Sequence, residues 1–179
     1  DTMELGGKTY IRAVDYKTGT KKFDLREVYY GLDCQMLLYL FTLERNGGHL
    51  FSQGTAAGVE YLWADPAPEN IIRPETDDAE PLQAQNYPLE GLLLDEPSIY
   101  HAMDTRGTGA FVPLSFSAKT GEPTAQSAKA RLADREKFNR IRDHLDGMLT
   151  DMAKNLYSGE IDAAPLVPNA GKSPCLWCE

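Results

Sequence analysis

The stretches VDYKTG at residues 14–19 and YYGLDCQMLLYL at residues 29–40 decide the fold of this chain. The first stretch ends a run of strand-forming residues, 9–17, in which alternate side chains share one face. Asp15 and Lys17 therefore project to the same side of a predicted strand. The second stretch belongs to an apolar pattern with a spacing of three to four residues, which predicts a long and well-covered helix.

Turn and capping residues place the neighbouring elements. Gly6-Gly7 separates two strand-prone runs and predicts a hairpin. One helix is predicted from Asp24, which has Glu27 at capping-box spacing, to the stop at Gly47-Gly48. Residues 1–65 thus predict a hairpin, a strand that carries Asp15, a helix and a following strand.

The remainder of the chain is less regular. Residues 66–88 are rich in proline and acid and predict an insert without regular structure. Residues 89–160 are predicted to be mainly helical: partly helical over 89–103, with a short strand around 111–116 and a long helix over 125–157. Residues 161–179 form a tail.

Length and composition bound the class of protein. The chain has 179 residues, of which 42% are hydrophobic, as expected for one domain with an ordinary core. No apolar run approaches the 18 residues of a membrane span, and three cysteines make no disulfide framework, so we expect no membrane partner and a reducing cytoplasm.

The charge of the chain is unevenly distributed. The net charge of −9 argues against nucleic acid when it is taken for the whole chain. Residues 1–50, however, carry seven basic and seven acidic groups, whereas residues 51–105 carry one basic and eleven acidic groups. The excess acid therefore lies in the middle of the chain, and the total does not exclude DNA binding by the first third.

Asp15 and Lys17 are the first candidates for chemistry. A carboxylate on a strand can hold a hard divalent cation through oxygen, and a lysine beside it can stabilise charge that builds on a phosphate. An ordinary surface ion pair on a strand is the alternative interpretation of the same two residues.

Gln35 and Tyr39 are the second candidates, because positions i and i+4 share one face of a helix. A glutamine at the margin of an apolar stripe can bind a phosphate or a base, or it can be a buried amide with its hydrogen bonds made. Tyr39 taken alone is most simply a core residue. Cys34, which points away from the centre of the stripe, is interpreted as a packed free thiol.

Cys175 and Cys178 are spaced as two ligands of one metal ion or one cluster iron. Two thiolates make half a site, and two inert thiols beside Trp177 are the alternative. The sequence contains no phosphate-binding glycine loop, no G-x-S-x-G and no Rossmann fingerprint, which argues against nucleotide hydrolysis, serine hydrolysis and dinucleotide redox chemistry.

The strand D-Y-K-T followed by the helix Q-x-x-x-Y resembles the RecB-like branch of the PD-(D/E)XK nucleases. Three segments resemble the AddB family of the bacterial AddAB helicase–nucleases more closely still. Their sequences are those of residues 27–40, 89–97 and 156–161. The resemblance implies an α/β fold with a restriction-endonuclease-like core, in which helices flank a mixed sheet.

The resemblance also implies roles for the candidate residues. Asp15 resembles the second metal-binding acid, the backbone carbonyl of Tyr16 an additional ligand, and Lys17 the catalytic lysine. Gln35 and Tyr39 resemble the motif that positions the DNA backbone. The implied chemistry is Mg²⁺-assisted hydrolysis of DNA in double-strand-break repair and recombination, with an AddA-like helicase/nuclease as partner, in the bacterial cytoplasm.

Two motifs of the family extend beyond this chain. Asp1 resembles the last residue of a G-x-x-D-R-[IV]-D run, whose metal-binding acid lies three residues earlier. Cys175 and Cys178 resemble the second and third ligands of a [4Fe–4S] cluster. The resemblance therefore implies a fold that is incomplete at its N-terminus, and an inactive fragment of an active parent.

Three alternatives remain open at this point. A Cas4-like stand-alone exonuclease shares the strand, the helix and the terminal cysteines. A non-catalytic DNA-binding or scaffold module of a helicase complex shares the fold. An unrelated domain without a metal predicts that Asp15 and Lys17 lie far from Gln35.

Overall fold

A mixed five-stranded sheet with helices packed against it forms the body of the chain. The computed structural model describes residues 1–19, 21–50, 53–64, 89–162 and 164–167. The sheet runs in the order β1 (Thr2–Leu5), β2 (Lys8–Lys17), β3 (Gly54–Trp63), β4 (Leu89–Leu94) and β5 (Leu132–Ala133). The helices are α1 (Leu25–Tyr29), α2 (Gln35–Asn46), α3 (Pro97–Met103), α4 (Ala125–Arg131) and α5 (Arg135–Ser158).

The sheet is mixed because it contains both parallel and antiparallel pairs. Strand β2 pairs with β3 in parallel, and β4 pairs with β5 in parallel. The β1–β2 and β3–β4 pairs are antiparallel. The predicted α/β class, with helices flanking a mixed sheet, is confirmed.

The core lies on both faces of the sheet, as adjacent residues of β4 demonstrate. Leu92 packs with α2 and α5 in the larger cluster, whereas Leu93 packs in a second cluster on the opposite face. The larger cluster includes Ile11, Leu37, Leu40, Val59, Phe138 and Leu145, and the second includes Tyr100, Val112, Leu114 and Leu132. Central strands that are covered on both faces carry apolar residues in succession, as β4 does.

The hairpin predicted at Gly6-Gly7 is confirmed. Both glycines have positive φ, 58° and 73°, which a residue with a Cβ atom adopts at a cost. This turn joins β1 to β2 and sets their register, in which Thr2 lies opposite Ile11.

The single helix predicted from Asp24 to Gly47 is wrong, because the structure has two helices there. α1 ends at Tyr29, and α2 begins at Gln35. Gly31 and Asp33 in the intervening turn have φ of 82° and 54°, which no α-helix accommodates. The apolar pattern crosses the break because both helices bury residues in the same cluster.

The long helix predicted over 125–157 is also interrupted. Leu132–Ala133 leave the helical path to pair with β4, so tertiary pairing outweighs local propensity at these two residues. The side chain of Asp134 caps the new helix by accepting a hydrogen bond from the Lys137 amide at 2.7 Å. The predicted stop is confirmed, since Gly159 has φ of 79° at the end of α5.

Two predictions for residues 89–116 need correction. The partly helical character of 89–103 is confirmed at α3, but Leu89–Leu94 form a strand that was not predicted. The strand predicted around 111–116 is wrong; the structure has only an isolated bridge between Phe116 and Pro123 there. The insert 66–88 lies outside the described residues. Within the described ranges, no helix combines the length and apolar character needed to cross a membrane.

Replacing Gly91 by alanine is expected to destabilise the sheet. A Cβ atom on Gly91 would lie 2.1 Å from the Val59 carbonyl oxygen, which belongs to the backbone of the neighbouring strand and cannot move freely. We expect a loss of about 1–3 kcal/mol in the free energy of unfolding, measured by urea denaturation.

Gly147→Ala is the matched control for this substitution. Gly147 lies within α5, and a Cβ atom there meets nothing within 4 Å. The free energy of unfolding of this variant should rise by about 0.5–1 kcal/mol, because alanine is more favourable than glycine in a helix interior. Equal destabilisation by both substitutions would contradict the close approach of β3 and β4.

Candidate active site

Asp15 and Lys17 lie together at the C-terminal end of β2. The Lys17 Nζ atom is 2.5 Å from the Asp15 Oδ2 atom, and the two side chains are 35% and 30% exposed. Lys17 also lies over the ring of Tyr61, with its Nζ atom 5.6 Å from the ring centre. The pair is therefore held in place while it stays accessible to solvent.

Tyr61, on β3, forms the inner wall of this site. The residue is almost completely buried and lies opposite Asp15 in the β2–β3 register. Burial, followed by the negative charges of Asp33 and Asp15, raises the pKa of Tyr61 to about 12. The phenol is therefore neutral at physiological pH, and Lys17 rests on an uncharged ring.

Helix α2 brings its exposed face to the same site. Asp15 and Tyr39 line one groove of about 560 Å³ between β2 and α2. Gln35 Nε2 donates a hydrogen bond to Tyr39 Oη at 2.9 Å, so the predicted shared face of these two residues is confirmed. The unrelated domain considered above, which separates Asp15 from this helix face, does not fit this arrangement.

Gln35 and Tyr39 are both exposed, whereas two interpretations of the sequence make Gln35 a buried amide and Tyr39 a core residue. Tyr39 is 54% exposed, and Gln35 is exposed as well. A core position for Tyr39 and a buried amide for Gln35 are therefore wrong. The helix buries Met36, Leu37, Leu40 and Phe41 instead, which leaves the Gln35–Tyr39 face free.

The edge of β2 next to the site is open among the described residues. The β1–β2 ladder ends at Asp1 and Arg12, which exchange backbone hydrogen bonds of 2.9 and 3.0 Å. The Lys17 carbonyl accepts a bond from Ala64 on the β3 side at 2.8 Å. Because successive residues alternate in direction, the backbone carbonyl of Tyr16 is directed to the open edge, away from β3.

The oxygen atoms at this edge are of the kind that hard divalent cations bind. The carboxylate of Asp15 and the carbonyl of Tyr16 could form one side of such a site. The described residues contain no group of three or more His, Cys, Asp or Glu side chains placed to hold a metal. A complete cation site therefore needs a further acid beside Asp15.

The cysteines do not add a metal site within the described ranges. Cys34 is a buried free thiol, as the sequence predicted. Burial, and then the charge of Asp33, raises the pKa of its thiol, which is consistent with a packed, unreactive side chain. Cys175 and Cys178 lie outside the described residues, and their pairing on a cluster stays a prediction.

A cluster of ion pairs around Arg12, on the other face of the sheet, could not be predicted from the sequence. Arg12 lies 2.8 Å from the Glu60 carboxylate and 2.9 Å from that of Asp1, and it donates a hydrogen bond to the Phe111 carbonyl. Arg12 thereby links β1, β2 and β3 to the loop after α3. The partners are distant in sequence, so periodicity carries no signal of this contact.

A second ion pair, between Lys21 and Asp33, also escaped the sequence analysis. Both side chains are partly buried and join the segment after β2 to the turn before α2. Asp33 is, among the described residues, the only one other than glycine with positive φ. The sequence holds a weak signal for this turn in Gly31, which we interpreted as part of a continuous helix.

Comparison with known proteins assigns this fold and site to a family. The sequence model of the PD-(D/E)XK nuclease superfamily matches residues 1–179. The chain therefore belongs to the PD-(D/E)XK nuclease superfamily, as the D-Y-K strand and the Q-x-x-x-Y helix indicated.

Curated relatives give a closer likeness. The chain is 29% identical, over 99% of its length, to the B subunit of an ATP-dependent helicase/deoxyribonuclease from Clostridium botulinum (strain Loch Maree / Type A3). The proteins of the same name from Clostridium perfringens (strain SM101 / Type A) and Thermoanaerobacter sp. (strain X514) are 32% and 31% identical over 94% and 99% of the chain. The resemblance to AddB is confirmed, and the matched region spans 15–16% of these relatives.

Stability of the chain should depend on pH through Glu60. Its side chain is buried, with the residue 2% exposed, and burial raises its pKa to about 7 against the opposing influence of Arg12. The folded state keeps this proton to a higher pH than the unfolded chain, whose carboxyl has the ordinary pKa of 4.5. The resulting stabilisation of the folded state is complete below pH 4.5 and is lost as the pH rises through 7.

The Glu60→Gln variant tests this dependence, because glutamine keeps the shape and does not titrate. We expect the free energy of unfolding of the unsubstituted chain, measured by urea titration, to fall between pH 5 and pH 8. The fall relative to the variant should be on the order of 2–3 kcal/mol. A difference between the two proteins that stays constant over this range would show that Glu60 is charged throughout.

Proposed function

We propose that this chain is the nuclease domain of an AddB-type helicase–nuclease, whose parent protein hydrolyses DNA phosphodiesters with Mg²⁺ during double-strand-break repair and recombination. The parent would act in the bacterial cytoplasm with an AddA-like helicase/nuclease. The names of the relatives, which pair helicase with deoxyribonuclease, support this function over that of a Cas4-like stand-alone exonuclease.

The register of β1 with β2 is the observation that carries the proposal. Thr2 lies opposite Ile11 and Asp1 opposite Arg12, so a strand continued upstream would place the residue three before Asp1 opposite Asp15. This is the position at which the family carries its other metal-binding acid. Register and motif, which are independent of each other, thus indicate the same residue.

The alternation of the ladder makes this pairing suitable for a shared cation. Asp1 and Arg12 form a hydrogen-bonded pair, so the position opposite Asp15, three pairs further on, is a non-hydrogen-bonded pair. Side chains in such pairs lie on the same face, with Cα atoms about 4.5 Å apart. Two carboxylates there, with the Tyr16 carbonyl at the same edge, would hold Mg²⁺ through oxygen.

Each residue of the site has a role in this chemistry. Bound Mg²⁺ lowers the pKa of water and neutralises charge on the phosphate. Asp15 supplies a carboxylate ligand and also orients Lys17, whose ammonium group would donate to the phosphate oxygens as charge develops. The amide of Gln35 and the hydroxyl of Tyr39 would bind and orient the DNA backbone at the groove.

Asp15 alone is an incomplete ligand set, so we expect cleavage to require a further acid at the position opposite Asp15. The [4Fe–4S] cluster is also part of the proposal, with Cys175 and Cys178 as two of its four ligands in the parent. Its role would be to fasten the tail of the domain, separately from the chemistry at Asp15.

Asp15→Asn in the full-length parent, assayed with its partner protein, tests the proposed function. The substitution keeps the shape of the side chain and removes the charge that binds the cation and holds Lys17. We expect Mg²⁺-dependent DNA cleavage to fall by about 100-fold or more, the size of effect seen when a charge-stabilising group is removed from an active site.

Asp95→Asn provides the matched control for charge and residue type. Asp95 is exposed and follows β4, which is antiparallel to β3, so it lies at the end of the sheet away from Asp15. Cleavage by this variant should stay within twofold of the parent. Undiminished cleavage by Asp15→Asn would overturn the proposed site and favour a scaffold role for this domain.

A further inference from the structure

The turn between α1 and α2 is held in an unusual conformation directly beside the candidate active site. Asp33 has φ of 54°, in the left-handed region that residues with a Cβ atom rarely adopt. Gln35, two residues later, begins α2. The conformation of Asp33 therefore sets the direction in which the Gln35–Tyr39 face leaves the turn.

The carboxylate of Asp33 connects three separate segments. Its Oδ2 atom pairs with Lys21 Nζ, which lies on the segment that follows β2. The carboxyl group of Glu27, on α1, interacts with the same carboxylate, which raises the pKa of Glu27. Both members of the Lys21–Asp33 pair are only about 30% exposed, so the contact is partly shielded from solvent.

The start of α2 has no side-chain cap of its own. Cys34, the capping residue, makes no side-chain hydrogen bond to the helix amides. Its thiol instead contacts the carbonyls of Val28, on α1, and of Leu32, in the turn. Among the described residues, the pair between Lys21 and Asp33 is thus a polar contact that ties the beginning of α2 to the chain leaving β2.

The pair also lies within electrostatic reach of Lys17. Although burial raises the pKa of the Asp33 carboxyl, its bonds to Lys21 and Glu27 and the charge of Lys17 lower it overall. The charge of Asp33 in turn acts on Tyr61, the ring beneath Lys17. Asp33 therefore neighbours the Asp15–Lys17 pair as well as the Gln35–Tyr39 face.

We infer that Lys21 and Asp33 are positioning residues of the nuclease site: their ion pair holds the first turn of α2 so that Gln35 and Tyr39 face Asp15 and Lys17. The inference rests on the proposed function. It adds two residues that lie outside the D-Y-K and Q-x-x-x-Y motifs and would touch neither metal nor DNA.

A double-mutant cycle in the full-length parent with its partner protein tests the inference. The variants are Lys21→Met, Asp33→Asn and the double substitution, because asparagine tolerates the left-handed conformation and keeps the shape of aspartate. Each single variant should lower kcat for Mg²⁺-dependent cleavage by about ten- to a hundredfold, since small displacements of positioning groups have effects of this size.

Non-additivity is the result that identifies the pair. If the two residues act through their contact, the double variant should be no slower than the slower single variant. All assays run well below the thermal midpoint of each variant, and kcat is separated from KM, so that a general loss of stability does not imitate the effect.

Lys22→Met is the matched control, because it removes the same charge from the adjacent residue. Lys22 is exposed and makes no ion pair within the described part of the chain. It should keep kcat within twofold of the parent.

Two outcomes would overturn the inference while leaving the proposed function intact. In the first, Asp15→Asn abolishes cleavage but Lys21→Met and Asp33→Asn stay within twofold of the parent. In the second, the losses of the single variants multiply in the double variant. If Asp15→Asn cleaves as the parent does, the proposed function itself fails. If the Asp33→Asn variant does not fold, the comparison of kcat between Lys21→Met and Lys22→Met still tests the inference.

Discussion

The site depends on one constraint, the parallel pairing of β2 with β3. Two parallel strands cannot be joined by a tight turn, so the chain between them must cross over one face of the sheet. Such a crossover is right-handed and packs back onto the sheet, which places α2 above β2. The face of α2 that carries Gln35 and Tyr39 is thereby brought to the strand that carries Asp15 and Lys17. A strand, a helix and a second strand in this order are sufficient to bring the two motifs together.

This constraint explains why the main features of the site could be predicted from the sequence. Alternation along a strand places Asp15 and Lys17 on one side, and the i, i+4 rule places Gln35 and Tyr39 on one face. Both rules are local and both hold in the structure. One continuous helix through both segments predicts that Tyr39 is buried, and the break at Gly31 and Asp33 makes that prediction wrong. With α2 starting at Gln35, the buried stripe falls on Met36, Leu37, Leu40 and Phe41.

The features that could not be predicted are those that depend on distant parts of the chain. Arg12 and Glu60 are 48 residues apart, and only the fold makes them partners. Leu132–Ala133 become a strand because β4 offers an edge, and no local pattern of two residues distinguishes them from the flanking helices. The left-handed conformation of Asp33 also depends on another segment, because Lys21 pairs with its carboxylate.

The β1–β2 ladder also has a consequence for the alignment of the strands. Met3 and Leu5 of β1 pack against the larger core cluster, and Asp1 pairs with the Arg12 guanidinium. A slip of one residue in the register would turn Met3 and Leu5 to the opposite face of the sheet and would move Asp1 away from Arg12. The ladder therefore resists slippage, and the strand that leads to Asp15 keeps one alignment with its neighbour.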